Sequence, residues 1–291
     1  MNEYDKFGCS LLYWGVKNSN TETVSILLSA GAEPDFQNSD GSSPLSAAAD
    51  PEIITLLLEK GASPDRKNSR GNTILYEMII AGKTEAVRAL LNRKANPNLA
   101  NDDGAYPLSA AVKENESEIL EMLLTAGADP EKKDSDGYNS LLTAAESNAS
   151  DCLQILVPKT DIHAKDPDGN TALHIAVLSD AVESLEFLLG AGLDITARNN
   201  QGKTVLDEAK TNRHALKILE QECIRRMMMA AKTGDMAAAQ RLLAVTSVNC
   251  RDAEGNTPLI VASRNSQKDM ADFLISRGAE TYHKNRSGES A

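Results

Sequence analysis

Two Gly-Lys-Thr triplets, Gly82–Thr84 and Gly202–Thr204, have the residue types that close a phosphate-binding loop. Such a loop also needs a glycine five residues earlier, where the backbone turns around the phosphates. Those positions hold Glu77 and Ala197, so nucleotide binding is not expected. The Asp-x-Asp-Gly runs Asp134–Gly137 and Asp166–Gly169 are similar to part of a calcium loop. Its first and twelfth ligands would fall on Lys132 and Thr143, or on Ala164 and Ile175, which supply no carboxylate. A tight turn explains both runs better. His174 reads as a structural donor and acceptor at a helix start. His163, His214 and His283 have no Ser, Cys or carboxylate that sequence pairs with them. Cys9, Cys152, Cys223 and Cys250 form no C-x-x-C pair and read as free thiols in a reducing compartment. No catalytic, cofactor-binding or metal site is therefore assigned, and the chain is read as a non-enzyme.

The elements that carry these residues are constrained by composition. Of 291 residues, 41% are hydrophobic and only 4% aromatic. A core of Leu, Ile, Val and Ala follows, which suits helices better than a β-sandwich. The formal charge of −12 argues against nucleic-acid binding, which needs a basic face. No apolar run is long enough to span a bilayer, and residues 1–6 do not open a signal peptide. An intracellular, cytoplasmic location is the expectation.

A repeat organises nearly the whole chain. Gly8, Gly41, Gly71, Gly104, Gly137, Gly169, Gly202 and Gly255 are each followed four residues later by Leu. Their spacings are 33, 30, 33, 33, 32, 33 and 53, and Gly288 lies 33 beyond Gly255. Each unit opens on a turn such as Asp103-Gly104 or Asp168-Gly169. A capping residue comes two positions later, with Pro at the next position in Pro44, Pro107 and Pro258. A small residue sits seven after the glycine (Ala48, Ala111, Ala144, Ala176), letting helices approach closely. A second helix ends in a Leu pair, as at Leu57-Leu58 or Leu123-Leu124, and Gly-Ala closes the unit at Gly31, Gly61, Gly127 and Gly278.

This grammar resembles the ankyrin repeat, most closely at Asp168-Gly-Asn-Thr-Ala-Leu-His174 and Thr257-Pro258-Leu259. The resemblance implies an all-α solenoid of antiparallel helix pairs with projecting β-hairpin loops, about nine units long. It also implies a protein-binding role. Three departures stand out. The unit at Gly41 lacks three residues around Ala49-Asp50-Pro51, which shortens its first helix or turn. Lys94 and Lys159 replace the closing glycine. The 53-residue interval is 13 short of two units at 33 each, and no Gly or Pro occurs between Thr211 and Lys232. There one helix is expected to run into or abut the next, with the intervening hairpin lost. Two stacks are expected, residues 1–222 and residues 223–291. The cluster Met227-Met228-Met229 with Met236 lies at this junction. It reads as helix packing, or alternatively as an adaptable contact surface.

Function in such a stack falls on the concave wall of hairpins and first helices. Four residues before each glycine a basic row recurs, including Lys67, Lys133, Lys165, Arg198 and Arg251. One residue before, an acidic fringe recurs, including Asp40, Asp103, Asp136 and Asp168, with Arg70 as an exception. Mutual pairing of exposed charges explains part of this pattern at little energetic gain. The remainder is read as a groove for a protein partner of complementary charge. Ile80 and Leu178 are the candidate apolar anchors, with Tyr138 beside them on a hairpin. Residues 224–291 hold 10 basic and 7 acidic side chains, net +3; residues 1–223 hold 20 and 35, net −15. The leading expectation is a monomeric adaptor, scaffold or targeting protein that binds another protein on Lys67, Arg70, Ile80, Asp103, Lys133, Asp136, Tyr138, Lys165, Asp168, Leu178 and Arg198. The alternative is an acidic inhibitor or antitoxin-like regulator that masks a basic active site or nucleic-acid-binding surface.

Overall fold

The computed structural model describes residues 4–291. The described residues form sixteen α-helices and three short 3-10 turns, ordered as consecutive antiparallel pairs. The chain packs as two compact units, one ending at Asp166 and one beginning at Pro167.

The first unit contains α1 (Leu11–Lys17) and α2 (Thr21–Ser29), then α3 (Pro51–Glu59), α4 (Ile74–Ile80), α5 (Thr84–Asn92), α6 (Pro107–Lys113), α7 (Ser117–Thr125), α8 (Ser140–Glu146) and α9 (Ser150–Leu156). The caps come from the repeat itself. Ser10, Thr73 and Asn139, each two residues past a turn glycine, accept the third-residue N–H of α1, α4 and α8. Pro107 takes the first position of α6, where its missing N–H costs nothing. At the helix ends, Ala32, Ala62 and Ala128 donate to Leu27, Leu57 and Leu123 carbonyls across a glycine at positive φ, a Schellman closure. The deletion near Ala49 has the expected effect. The first helix of that unit shrinks to a 3-10 turn, Leu45–Ala47, and Asp50 caps α3 directly. Lys94 holds the left-handed conformation of the glycine it replaces, φ 62. Lys159 instead ends a 3-10 turn, Val157–Lys159.

The second unit contains α10 (Ala172–Leu178), α11 (Val182–Gly190), α12 (Val205–Glu208), α13 (Arg213–Thr233), α14 (Met236–Leu242), α15 (Pro258–Arg264) and α16 (Lys268–Ser276). α13 is one continuous helix of 21 residues. Its buried residues Ala215, Leu219, Cys223, Met227, Ala230 and Ala231 fall three or four apart, or adjacent on the same stripe. The stripe keeps phase throughout, so one unbroken helix buries it. Asn212 caps the start through His214 and Ala215 N–H, and Gly234 at φ 76 ends it. The second helix of one repeat thus merges with the first helix of the next, and no finger separates them. Residues 222 and 223 lie inside this helix.

The core is built from Leu, Ile, Val and Ala. Leu12, Leu45, Leu75, Leu141 and Leu173, all four past a turn glycine, are 1% exposed or less. Each such aliphatic side chain contributes on the order of 1.5–3 kcal/mol through burial. The loops between repeats are fingers closed by backbone turns. Antiparallel bridging is reduced to single pairs, among them Lys67 with Thr73 and Arg198 with Thr204.

Candidate protein-binding face

The fingers are held by a residue that the charge pattern alone does not single out. Three positions before each turn glycine stands Asn or Asp. Asn38, Asn68, Asn101, Asp134, Asn199, Asp252 and Asn285 each accept two backbone N–H groups with one side-chain oxygen. The donors are the residues on either side of the glycine, so the side chain fixes the turn from within. At three of the Asn positions the amide also reaches the preceding finger, whereas Asn68 Nδ2 donates to Glu77. Asn101 Nδ2 donates to Asn72 Oδ1 at 3.0 Å, Asn199 to Asn170 at 2.9 Å, and Asn285 to Asn256 at 2.8 Å. The recurrence of Asn or Asp at this phase was the available sequence signal. These bonds place the finger tips at fixed heights along each unit.

The basic row is largely occupied by this scaffold. Lys67 Nζ pairs with Asp102 at 2.8 Å. Lys133 Nζ donates to the Lys165 carbonyl of the next finger at 3.3 Å. Arg198 Nη1 donates to the Gly202 carbonyl within its own finger at 2.5 Å. Arg251 faces Glu280 at 3.7 Å. The acidic fringe differs. The side chains of Asp40, Asp103, Asp136 and Asp168 make no ion pair among the described residues, and all four are exposed. Arg70 also stands exposed at its finger tip. The negative field of these tips reaches nearby phenols. Burial, then Asp103, Glu77 and Glu114, raises the Tyr76 pKa. Burial, then Glu146, Asp166, Asp136 and Asp134, does the same for Tyr138.

On the helices, Ile80 ends α4 at 44% exposure and Leu178 ends α10 at 56%. Tyr138 is half-buried on its finger. Lys67, Arg70, Ile80, Asp103, Lys133, Asp136, Tyr138 and Lys165 belong to the first unit; Asp168, Leu178 and Arg198 belong to the second. Lys133 and Lys165 are brought together by a direct bond, whereas Asp103 and Asp136 stay apart on separate tips.

A family model described as "Ankyrin repeats (3 copies)" matches residues 1–68, 49–134, 126–199, 141–225 and 221–285. The chain belongs to the ankyrin-repeat family. A curated relative, Protein glp-1 of Caenorhabditis elegans, is 32% identical over 123 residues, 41% of this ankyrin-repeat chain. The chain spans only 8% of that relative's length. Among solved structures, the ankyrin repeat domain of Bcl-3, described as a unique member of the IkappaB protein family, superposes with a TM-score of 0.66 and 28% identity. The match covers 74% of this chain and 99% of that one. The human ASB11 ankyrin repeat domain gives a TM-score of 0.64 at 24% identity, over 74% and 98% of the two chains. Ankyrin repeats are protein–protein interaction modules that bind other proteins, and the family is generally non-catalytic.

Within this ankyrin-repeat chain the chemically tempting residues have structural partners. His174 Nδ1 lies 2.9 Å from Thr171 Oγ1, and Nε2 lies 3.2 Å from the Lys203 carbonyl. It is 1% exposed and ties the start of α10 to the next finger. Burial pushes the Cys152 and Cys223 thiols up to about 12 and that of Cys250 to about 11. A thiol held so high is a poor nucleophile and a poor metal ligand near neutral pH. No group of three or more His, Cys, Asp or Glu could hold a metal among the described residues. No helix among them is long and apolar enough to cross a membrane.

Proposed function

We propose that this chain is an adaptor or scaffold that binds a protein partner on its fingers and first helices, and that the partner presents a basic surface. The observation that carries this reading is the asymmetry of the finger charges. The lysines and arginines of the basic row are engaged with neighbouring groups, while the tip carboxylates of Asp103 and Asp136 stand exposed without an ion pair among the described residues. Apart from Arg70, the tip charge available to a partner is therefore acidic, in keeping with the net −15 of residues 1–223. Ile80 and Leu178 supply exposed apolar surface on the helices behind the tips.

The test is affinity purification followed by binding measurements with the recovered partner. Combined Asp103→Lys and Asp136→Lys reversal should weaken the complex about tenfold at low salt, equivalent to about 1.4 kcal/mol, with the deficit shrinking as salt rises. Lys133→Glu with Lys165→Glu should affect stability more than affinity. An acidic partner, or unchanged affinity in the Asp103/Asp136 variant, removes this reading. The same charge surplus also suits an inhibitor that masks a basic site. The discriminating result is whether the partner loses activity when bound.

A further inference from the structure

α13 runs unbroken through the place where a finger would separate two repeats. Where that loop would have stood, a groove of about 720 Å³ opens between α13 and the finger Arg251–Gly255. Its floor is Ile224, Met228, Met229 and Val261. Met227, the first of the run, packs into the core at 0% exposure, whereas Met229 is 51% exposed. Methionine side chains are unbranched and polarisable, so they adapt to varied apolar partners.

The groove's charge selects among partners. Asp252 lies on its wall, but its carboxylate accepts three bonds within its own finger, from Glu254 N, Asn256 N and Asn256 Nδ2. Lys232 stands exposed at one end without an ion pair among the described residues. Arg251 is only loosely held, 3.7 Å from Glu280 with both side chains more than half exposed. Arg225 adds a third cation, shared with Glu222. Glu254 also lines the groove and is exposed. Three cations, Arg225, Lys232 and Arg251, thus stand against two carboxylates, Asp252 and Glu254, around the apolar floor, a net of +1 with the same sign as the net +3 of residues 224–291. The lining of α13 runs from Gln221 to Lys232, about 17 Å along the helix axis. That length receives roughly three turns of a second helix.

We propose that this groove docks an acidic amphipathic helix of a partner protein, with aliphatic side chains on the methionine floor and carboxylates against Lys232 and Arg251. The site rests on the reading of the chain as a protein-binding module, but it is built from residues of the second unit alone and shares none with the tips of Asp103 and Asp136.

The test uses the full chain with methyl-labelled methionine and three synthetic helical peptides. One carries Leu at every third or fourth position flanked by Glu. The second replaces each Glu by Lys, and the third replaces each Leu by Ser. The Glu/Leu peptide should move the Met228 and Met229 methyl signals and leave those of Met78 and Met122 in place. Met229→Glu and Lys232→Glu, both at exposed positions, should each weaken it about tenfold. Equal binding of the Lys peptide, or equal binding of the Ser peptide, overturns the proposal. Concentration-dependent movement of the same methyl signals without peptide assigns the groove to a second copy and overturns it too. A chain that ignores every peptide, yet loses its purified partner on Asp103/Asp136 reversal, keeps the protein-binding reading and removes the groove.

Discussion

Arg226 is the residue on which the merged helix most depends. Its Nε donates to Glu222 at 2.7 Å, Nη1 to the Leu193 carbonyl at 2.6 Å and Nη2 to the Leu189 carbonyl at 2.9 Å. The side chain is 18% exposed. It therefore ties α13 to carbonyls at and beyond the end of α11. Hydrogen bonds to a charged group contribute on the order of 1.5–3 kcal/mol each in partly buried sites. Water replaces some of that, and Arg225 still holds Glu222 after substitution. Arg226→Met keeps the apolar stem and removes the fork, so it should cost about 3 kcal/mol. Arg226→Lys keeps one donor direction and should cost about half as much.

The assay must report on the right part of the chain. Trp14 is the single tryptophan and sits in α1, so its fluorescence follows the first unit. Urea titration read by hydrogen exchange at residues 182–233 resolves the second, and a repeat array need not unfold in one step. The pH dependence has a definite sign. Burial raises the Glu222 pKa, but bonds from Arg225 and Arg226 outweigh it and leave it below its ordinary value. Its stabilisation is thus present above the unfolded value of about 4.3 and is lost as pH falls through the lower folded value. The penalty of Arg226→Met should shrink over that window. A penalty under about 0.5 kcal/mol at pH 7, or one independent of pH, refutes the account of this junction.

Three further outcomes are expected. Lys94→Gly should stabilise the first unit by about 1 kcal/mol, because Lys94 holds a left-handed backbone that glycine adopts without cost; thermal unfolding checks it. Asn199→Ala removes two bonds to turn N–H groups and those to Asn170 and Glu208, and should cost about 2–3 kcal/mol with faster amide exchange at Gln201 and Lys203. Cys152 and Cys223 should resist a thiol reagent at pH 8 until urea unfolds the chain, since burial holds both near 12; rapid native labelling would contradict their packing.

The helix pairs were legible because each sequence signal had one structural meaning. Gly at the turn, a cap two residues on and Leu two beyond that recur in phase, and the structure buries those leucines except Leu206, beside which Val205 is buried. The merged helix was also legible, from the stretch without Gly or Pro between Thr211 and Lys232. The compact units, meeting between Asp166 and Pro167, depend on packing along the stack that repeat phase does not encode. The charge rows were legible as composition but not as chemistry. Only geometry distinguishes a lysine bonded to the next finger's carbonyl, as Lys133 is, from a carboxylate such as that of Asp136, which is exposed and in no ion pair among the described residues. The methionine groove was foreshadowed by the run at Met227, but its floor includes Val261, which only folding brings near.

The central claim is that a protein partner binds the fingers and first helices. Hydrogen exchange of the chain with and without its purified partner measures this directly. Slowed exchange should appear on the fingers around Asp103 and Asp136 and on the adjoining ends of α4 and α6. Protection confined to the second helices, α5, α7 and α9, with the fingers unchanged, would contradict the claim.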